Sequence, residues 1–266
     1  MKKKFFIIIT VFGLFFTPSS SATAEEVIEL QTRPGVGQRF ILIGPAHPVA
    51  TVILFAGGDG RLKLSSRSGT PTIGRLENNF LVRSRHLFAE HGFTVAVVDS
   101  PSDAPDGMLY GLRTSREHLI DIEHVIDYLK KQTKKPVWLI GTSRGTESAA
   151  YIAINSSRSI DGLVLTSSIT EDTAKGTAVT GMELHKIIVP TLIVAHRNDN
   201  CRVTPPEGAQ EIFKLLTHSR KKEIMLFEGG DRPVSANPCR ALSYHGFLGI
   251  EKRVVSAITG WIKTSP

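Results

Sequence analysis

The chain has 266 residues, of which 41% are apolar and 21% charged, with a formal net charge of +7. That length suits one large α/β domain or two small ones. The charge excess fits solubility and anionic surfaces, but with no concentrated basic stripe it does not argue for nucleic acid as a partner.

Residues 1–24 read as a secretory signal peptide rather than as part of the fold. Lys2, Lys3 and Lys4 form a basic start, Phe5 to Phe16 an apolar run of 12 residues, and Ala22-Thr23-Ala24 a small-residue cleavage site. Twelve residues fall well short of the roughly 20 that a spanning helix requires, so no stable membrane anchor is expected and no cysteine stands near the site for lipid attachment. Loss of this segment lowers the net charge from +7 to +4. The expected location is periplasmic or secreted. No repeat and no linker rich in Pro, Gly or Ser divides the remainder, which predicts a single domain over residues 25–266.

Short β-rich runs then alternate with helical patterns, predicting a mostly parallel sheet with helices on both faces. Arg39 to Ile43 is an early strand and Thr51 to Phe55 the next, running into Ala56-Gly57-Gly58-Asp59-Gly60. A helix is predicted over Leu81 to Glu90, closed by Gly92, with Arg83 and Arg85 on a solvated face. Thr94 to Val98 is a strand. In the helix predicted over Thr114 to Lys131, Leu119, Ile122, Val125, Ile126 and Leu129 share one face, and Thr114 with Glu117 forms a capping box. His118, Asp121 and His124 read as its polar face rather than as a metal site. Further strands are predicted at Gly162–Leu165, Thr191–Val194 and Glu223–Phe227, with helices at Pro206–Leu216 and Gly249–Ile262.

The centre of the chain is Val137 to Gly145. Four apolar residues read as a buried strand, Gly141-Thr142-Ser143-Arg144-Gly145 follows at once, and Thr146 to Asn155 reads as a helix. A Gly-x-Ser-x-Gly motif in that strand–turn–helix context means a nucleophile elbow. The turn is so tight that side chains at its two outer positions would collide with their neighbours, so glycines stand there. It holds the Ser143 hydroxyl at the N-terminus of a helix, where the Arg144 N–H is free to donate to an oxyanion. The Arg144 side chain either meets a substrate anion or pairs with Glu147.

Such a serine needs a base to accept its proton and an acid to orient that base, following it in the order acid, then histidine. Asp199, after the strand at Thr191–Val194, is the expected acid, with Glu171 and Asp172 as alternatives. Of the four histidines beyond Ser143, His185 and His196 precede Asp199, and His218 stands before the last strand. His245 is therefore the expected base. The N–H of Gly57 or Gly58 is the expected second oxyanion donor.

These elements resemble the α/β-hydrolase superfamily over roughly Arg39 to Ile262. The resemblance implies an eight-stranded-type α/β-hydrolase fold and hydrolysis of an ester, thioester or amide through an acyl-serine intermediate. No cofactor and no metal are expected, with a small-molecule ester or related acyl compound as substrate. Ala56-Gly57 stands where many members have His-Gly. About 17 residues separate the last strand from His245, and the segment from Ser167 to Ile188 is too short for a cap domain, so a fairly open site is expected. A carboxylesterase is the leading expectation. The alternatives are a peptidase or thioesterase of the same fold, or a non-catalytic binding protein on that scaffold.

Two cysteines in an exported chain suggest one disulfide, against the alternative of two buried thiols. A Cys201–Cys239 bond would tie the acid loop to the long loop carrying His245.

Overall fold

The computed structural model describes residues 25–265; the predicted leader at residues 1–24 lies outside them. Strand β1 (Glu25–Arg33) turns at Pro34-Gly35 into β2 (Val36–Ile43), and the two pair antiparallel. Then come β3 (Ala50–Phe55), a small hairpin of β4 (Leu64–Arg67) and β5 (Thr70–Ile73), and two short helices, α1 (Phe80–Arg83) and α2 (Arg85–Glu90). Next are β6 (Phe93–Val98), α3 (Arg116–Thr133), β7 (Val137–Thr142), α4 (Gly145–Asn155) and β8 (Gly162–Thr166). The chain ends with β9 (Thr191–His196), α5 (Gly208–Leu215), β10 (Lys222–Phe227) and α6 (Glu251–Lys263).

Eight strands form one sheet in the order β1-β2-β6-β3-β7-β8-β9-β10. The pairings β1–β2 and β2–β6 are antiparallel and the rest parallel. Strands β3, β6, β7, β8 and β9 are buried along their whole length, as near-continuous apolar runs covered on both faces must be. Edge strand β10 is half exposed.

Connection handedness fixes which face each helix covers. The chain leaves β3 toward β6 on one side, then crosses back over β3 to reach β7 on the other. Right-handed crossovers in opposite directions place their helices on opposite faces. One core layer accordingly holds Phe80, Phe88, Val254, Ile258 and Trp261 from α1, α2 and α6. The other holds Ile122, Val125, Ile126, Ala149 and Ile212 from α3, α4 and α5. Neighbouring strands β3 and β7 therefore release their chains to opposite faces, and a crevice opens at their carboxyl ends, where open α/β sheets place ligands.

Four local expectations are corrected. The helix predicted over residues 81–90 is broken at Ser84. Its arginines are not solvated: Arg83 pairs with Glu251 at 2.9 Å and Arg85 with Glu25 at 2.6 Å. The cap of α3 falls one residue later than predicted. Thr114 is used in a 3₁₀ turn, its hydroxyl donating to Gly111 O, and Ser115 accepts from the His118 N–H instead. His118 and Asp121 are buried, not on a wet face, because β1, unseen in the sequence pattern, lays Thr32 and Arg33 against α3, both donating to Asp121. His124 is exposed.

Candidate active site

The elbow forms where the sequence places it. Ser143 has φ of 52°, a left-handed conformation costly for a residue with a Cβ. Its N–H donates to Thr166 O at 3.0 Å, and the Thr146 N–H and hydroxyl both bond back to Ser143 O. The flanking glycines answer to close approach. A Cβ on Gly141 would lie 2.5 Å from the Gly145 carbonyl oxygen, and one on Gly145 would run into the carbonyl of Phe55 on β3. Strand β3 and helix α4 thus meet backbone to backbone, which brings the loop after β3 against the serine. A Cβ on Gly57 would lie 2.9 Å from Cβ of Ser143.

Asp199 and His245 are brought together from 46 residues apart. The His245 Nδ1–H faces Asp199 Oδ2 at 2.9 Å, both side chains buried. That bond places the ring hydrogen on Nδ1 and leaves Nε2 able to accept a proton. Asp199 Oδ1 also accepts the Cys201 N–H at 2.9 Å. Ser143 and His245 line one cavity of about 420 Å³, together with Gly57, Gly58, Leu76, Asn79, Val234, Ala241 and Leu242. The long loop between β10 and His245 forms one wall of this cavity. The open site expected from the short 167–188 segment is thus partly enclosed from another direction.

The Arg144 side chain is committed away from the cavity. It pairs with Glu147 at 3.2 Å and donates to Thr173 Oγ1 at 3.1 Å and to the Lys175 carbonyl. Burial pushes the Glu147 carboxyl above its ordinary range, against the pull of Arg144 and Arg113. Asp172, an alternative acid, accepts from the Ala178 N–H at 2.7 Å, and Glu171 is exposed. Cys201 and Cys239 are disulfide-bonded, joining the segment after Asp199 to the cavity wall before His245. No group of three His, Cys, Asp or Glu side chains suited to a metal ion occurs among the described residues. Nor is any helix among them long and apolar enough to cross a membrane.

Three neighbours of the site escaped the sequence reading, and a fourth, His196, was weighed there only as a base and set aside. Thr204 Oγ1 lies 3.0 Å from Asp199 Oδ2 and 3.1 Å from His245 Nδ1, and so sits between acid and base. Ser167, at the end of β8 with φ of 42°, donates to the backbone carbonyl of His245. His196 accepts the Asn198 N–H on Nδ1, donates from Nε2 to Gly229 O, and stacks on Tyr244 with ring centroids 4.8 Å apart. Arg113 is buried beside the Ala56–Gly60 loop. Only its place before a helix was visible in the sequence; none of the four belongs to a motif.

No family model matches this chain, and no curated protein matches it. Solved structures do. An esterase of Pyrococcus furiosus superposes with a TM-score of 0.65 over 96% of this chain and 96% of its own, at 14% identity. An alpha-beta serine hydrolase homologue from Coxiella burnetii gives 0.58 over 92% and 99%, at 15% identity. A cold-adapted esterase from an Arctic intertidal metagenomic library gives 0.58 over 91% and 93%, at 14% identity.

The fold is the α/β-hydrolase fold.

At these identities the likeness is one of architecture, and chemistry has to be argued from side chains. Within the α/β-hydrolase fold, the carboxyl ends of β3, β7 and β9 and the loop after β10 converge on one crevice. These segments carry the Gly57–Gly58 backbone, Ser143, Asp199 and His245 respectively.

Proposed function

We propose that this protein is an exported serine hydrolase acting on a carboxylic ester of small size. Ser143 is the nucleophile, His245 the general base and then acid, and Asp199 the group that orients and stabilises the imidazolium. The N–H groups of Arg144 and of Gly57 or Gly58 receive the oxyanion, since neither loop nor elbow spends them on another acceptor among the described residues. The reading rests above all on one observation: a serine held at left-handed φ on an elbow shares a cavity with a buried histidine already bonded to a carboxylate.

The steps follow from charge. As Ser143 Oγ attacks the acyl carbon, its proton passes to His245 Nε2, and the Asp199 carboxylate stabilises the positive ring. The carbonyl oxygen becomes an anion facing fixed backbone donors, whose alignment costs nothing at the moment of reaction. Collapse expels the alkoxide, which takes the proton from Nε2, and water repeats the cycle on the acyl-serine. No cofactor enters these steps.

The esterase neighbours support a hydrolase. A signal peptide over residues 1–24, one domain over residues 25–266 and a periplasmic or secreted location belong to the same proposal, and the Cys201–Cys239 bond supports an oxidising compartment. Hydrolysis of p-nitrophenyl esters of increasing chain length, set beside an aminoacyl amide and a thioester, tests the substrate class. Turnover of short esters that vanishes in Ser143→Ala is expected. Turnover of the amide or thioester alone would contradict the ester assignment, and absence of any turnover would favour a binding protein.

A further inference from the structure

The guanidinium of Arg113 is among the most buried charges of the described residues, at 3% residue exposure, and no carboxylate among them hydrogen-bonds to it. Its bonds go elsewhere. Nη2 donates to Ala56 O at 2.9 Å and to Gly58 O at 3.3 Å, and Nη1 donates to Ser148 Oγ at 3.0 Å. Two acceptors belong to the loop after β3 and the third to α4, the helix that begins at the elbow. The loop wraps the group closely: a Cβ on Gly60 would stand 2.6 Å from Nη2. An isolated buried cation is costly, and burial lowers its pKa to about 10 with Glu147 opposing the shift, so the charge is retained near neutrality.

We propose that Arg113 is a positioning residue that aims the oxyanion-binding backbone of the Gly57–Gly58 loop; the proposal rests on the serine-hydrolase reading above. A trans peptide is planar, with C=O and N–H pointing in opposite directions. Holding the Ala56 carbonyl toward Arg113 therefore turns the Gly57 N–H the other way, and Gly57 is the residue that abuts Ser143. The next peptide plane is pinned separately, by the Gly60 N–H donating to Gly57 O at 3.1 Å. Arg113 also anchors on Ser148, so it sets the loop against the same helix that presents the Arg144 N–H. Both donors of the oxyanion site are then referred to one buried group. Because the charge acts on backbone orientation and not on ground-state substrate contacts, its removal falls on the transition state.

The test compares wild type with Arg113→Gln, Arg113→Lys and Ser148→Ala, using a p-nitrophenyl ester and a trifluoromethyl ketone that adds to Ser143 as a tetrahedral anion. Thermal melts establish folding. Removing one oxyanion donor typically costs about 100- to 1000-fold in kcat; misaiming one is expected to cost about 10- to 100-fold. Folded Arg113→Gln should lose kcat to that extent with KM within about threefold, and its ketone inhibition constant should rise in parallel with the fall in kcat/KM. Arg113→Lys, whose single ammonium does not reproduce the fork, is expected to follow it, with Ser148→Ala milder; these two carry the test if Arg113→Gln does not fold. A folded Arg113→Lys with wild-type kcat and wild-type ketone affinity would overturn the assignment. Wild-type protein that fails to take a fluorophosphonate at Ser143 would instead overturn the hydrolase reading on which it rests.

Discussion

The Ser167 hydroxyl donates to the backbone carbonyl of His245 at 2.8 Å, reaching from the end of β8 to the loop that presents the imidazole. The bond is buried and spans 78 residues. It fixes the main chain of the proposed base, while Asp199 and Thr204 both contact its ring at Nδ1. Ser167→Ala removes the donor and leaves a buried carbonyl without it. A loss of about 1–2 kcal/mol in denaturant midpoint stability is expected, with kcat falling several-fold as His245 loosens. Unchanged stability and turnover would show that the loop is held without it.

Thr204 offers a second check. Its hydroxyl hydrogen goes to Asp199 Oδ2, so its lone pair faces the His245 Nδ1–H. Thr204→Val keeps the shape and removes the contact. A several-fold drop in kcat with KM little changed is expected, with Thr204→Ser recovering most of the loss. A Val variant indistinguishable from wild type would remove Thr204 from the site.

His118 links stability to pH. The ring is buried at 3% exposure, edge-on to Phe55. Burial, with Arg113 and Arg33 nearby, lowers its pKa from 6.5 to about 3. The unfolded chain binds a proton between those values and the folded chain does not. Stability from this group is therefore intact above about pH 6.5 and falls as pH drops toward 3, by about 1.4 kcal/mol per pH unit at most. Urea midpoints across that range should slope accordingly, and His118→Phe should flatten part of the slope. Identical slopes for the two proteins would contradict the assignment.

The disulfide closes a loop between residues 38 apart in sequence. Loop-closure entropy predicts that Cys201→Ser with Cys239→Ser lowers stability by about 2–4 kcal/mol. Activity should fall as well, because Cys201 donates its N–H to Asp199 and Cys239 lines the cavity beside His245. A stability loss with full activity retained would confine the bond to a structural role.

What the sequence disclosed and what it withheld follow a physical line. The elbow was legible because steric demands there admit only glycine at positions 141 and 145, beside a strand long enough to read. The pairing of Asp199 with His245 was legible by order along the chain, since each follows a strand whose apolar run is clear; their roles belong to the proposal. Their supports were not. Ser167, Thr204 and Arg113 act through a few polar contacts each, reaching across 78, up to 41 and up to 57 residues, and ordinary polar side chains carry no sign of such partners. Strand β1 was hidden because only Val27, Ile28 and Leu30 of its nine residues are apolar and they do not alternate, and with it went the burial of Asp121, whose partners Thr32 and Arg33 it supplies. The cap of α3 moved by one residue because Thr114 and Ser115 are equally good caps locally; the preceding 3₁₀ turn decided between them.

Covalent trapping decides whether Ser143 is a nucleophile activated by His245. Folded wild-type protein is treated with a fluorophosphonate, digested, and the adduct located by mass spectrometry, beside Ser143→Ala and His245→Gln. One phosphonyl group is expected on Ser143, none on Ser143→Ala, and labelling of His245→Gln slowed by about 100-fold or more, as when a general base is lost. Folded wild-type protein that stays unlabelled, or that is labelled at the same rate without His245, would contradict that mechanism.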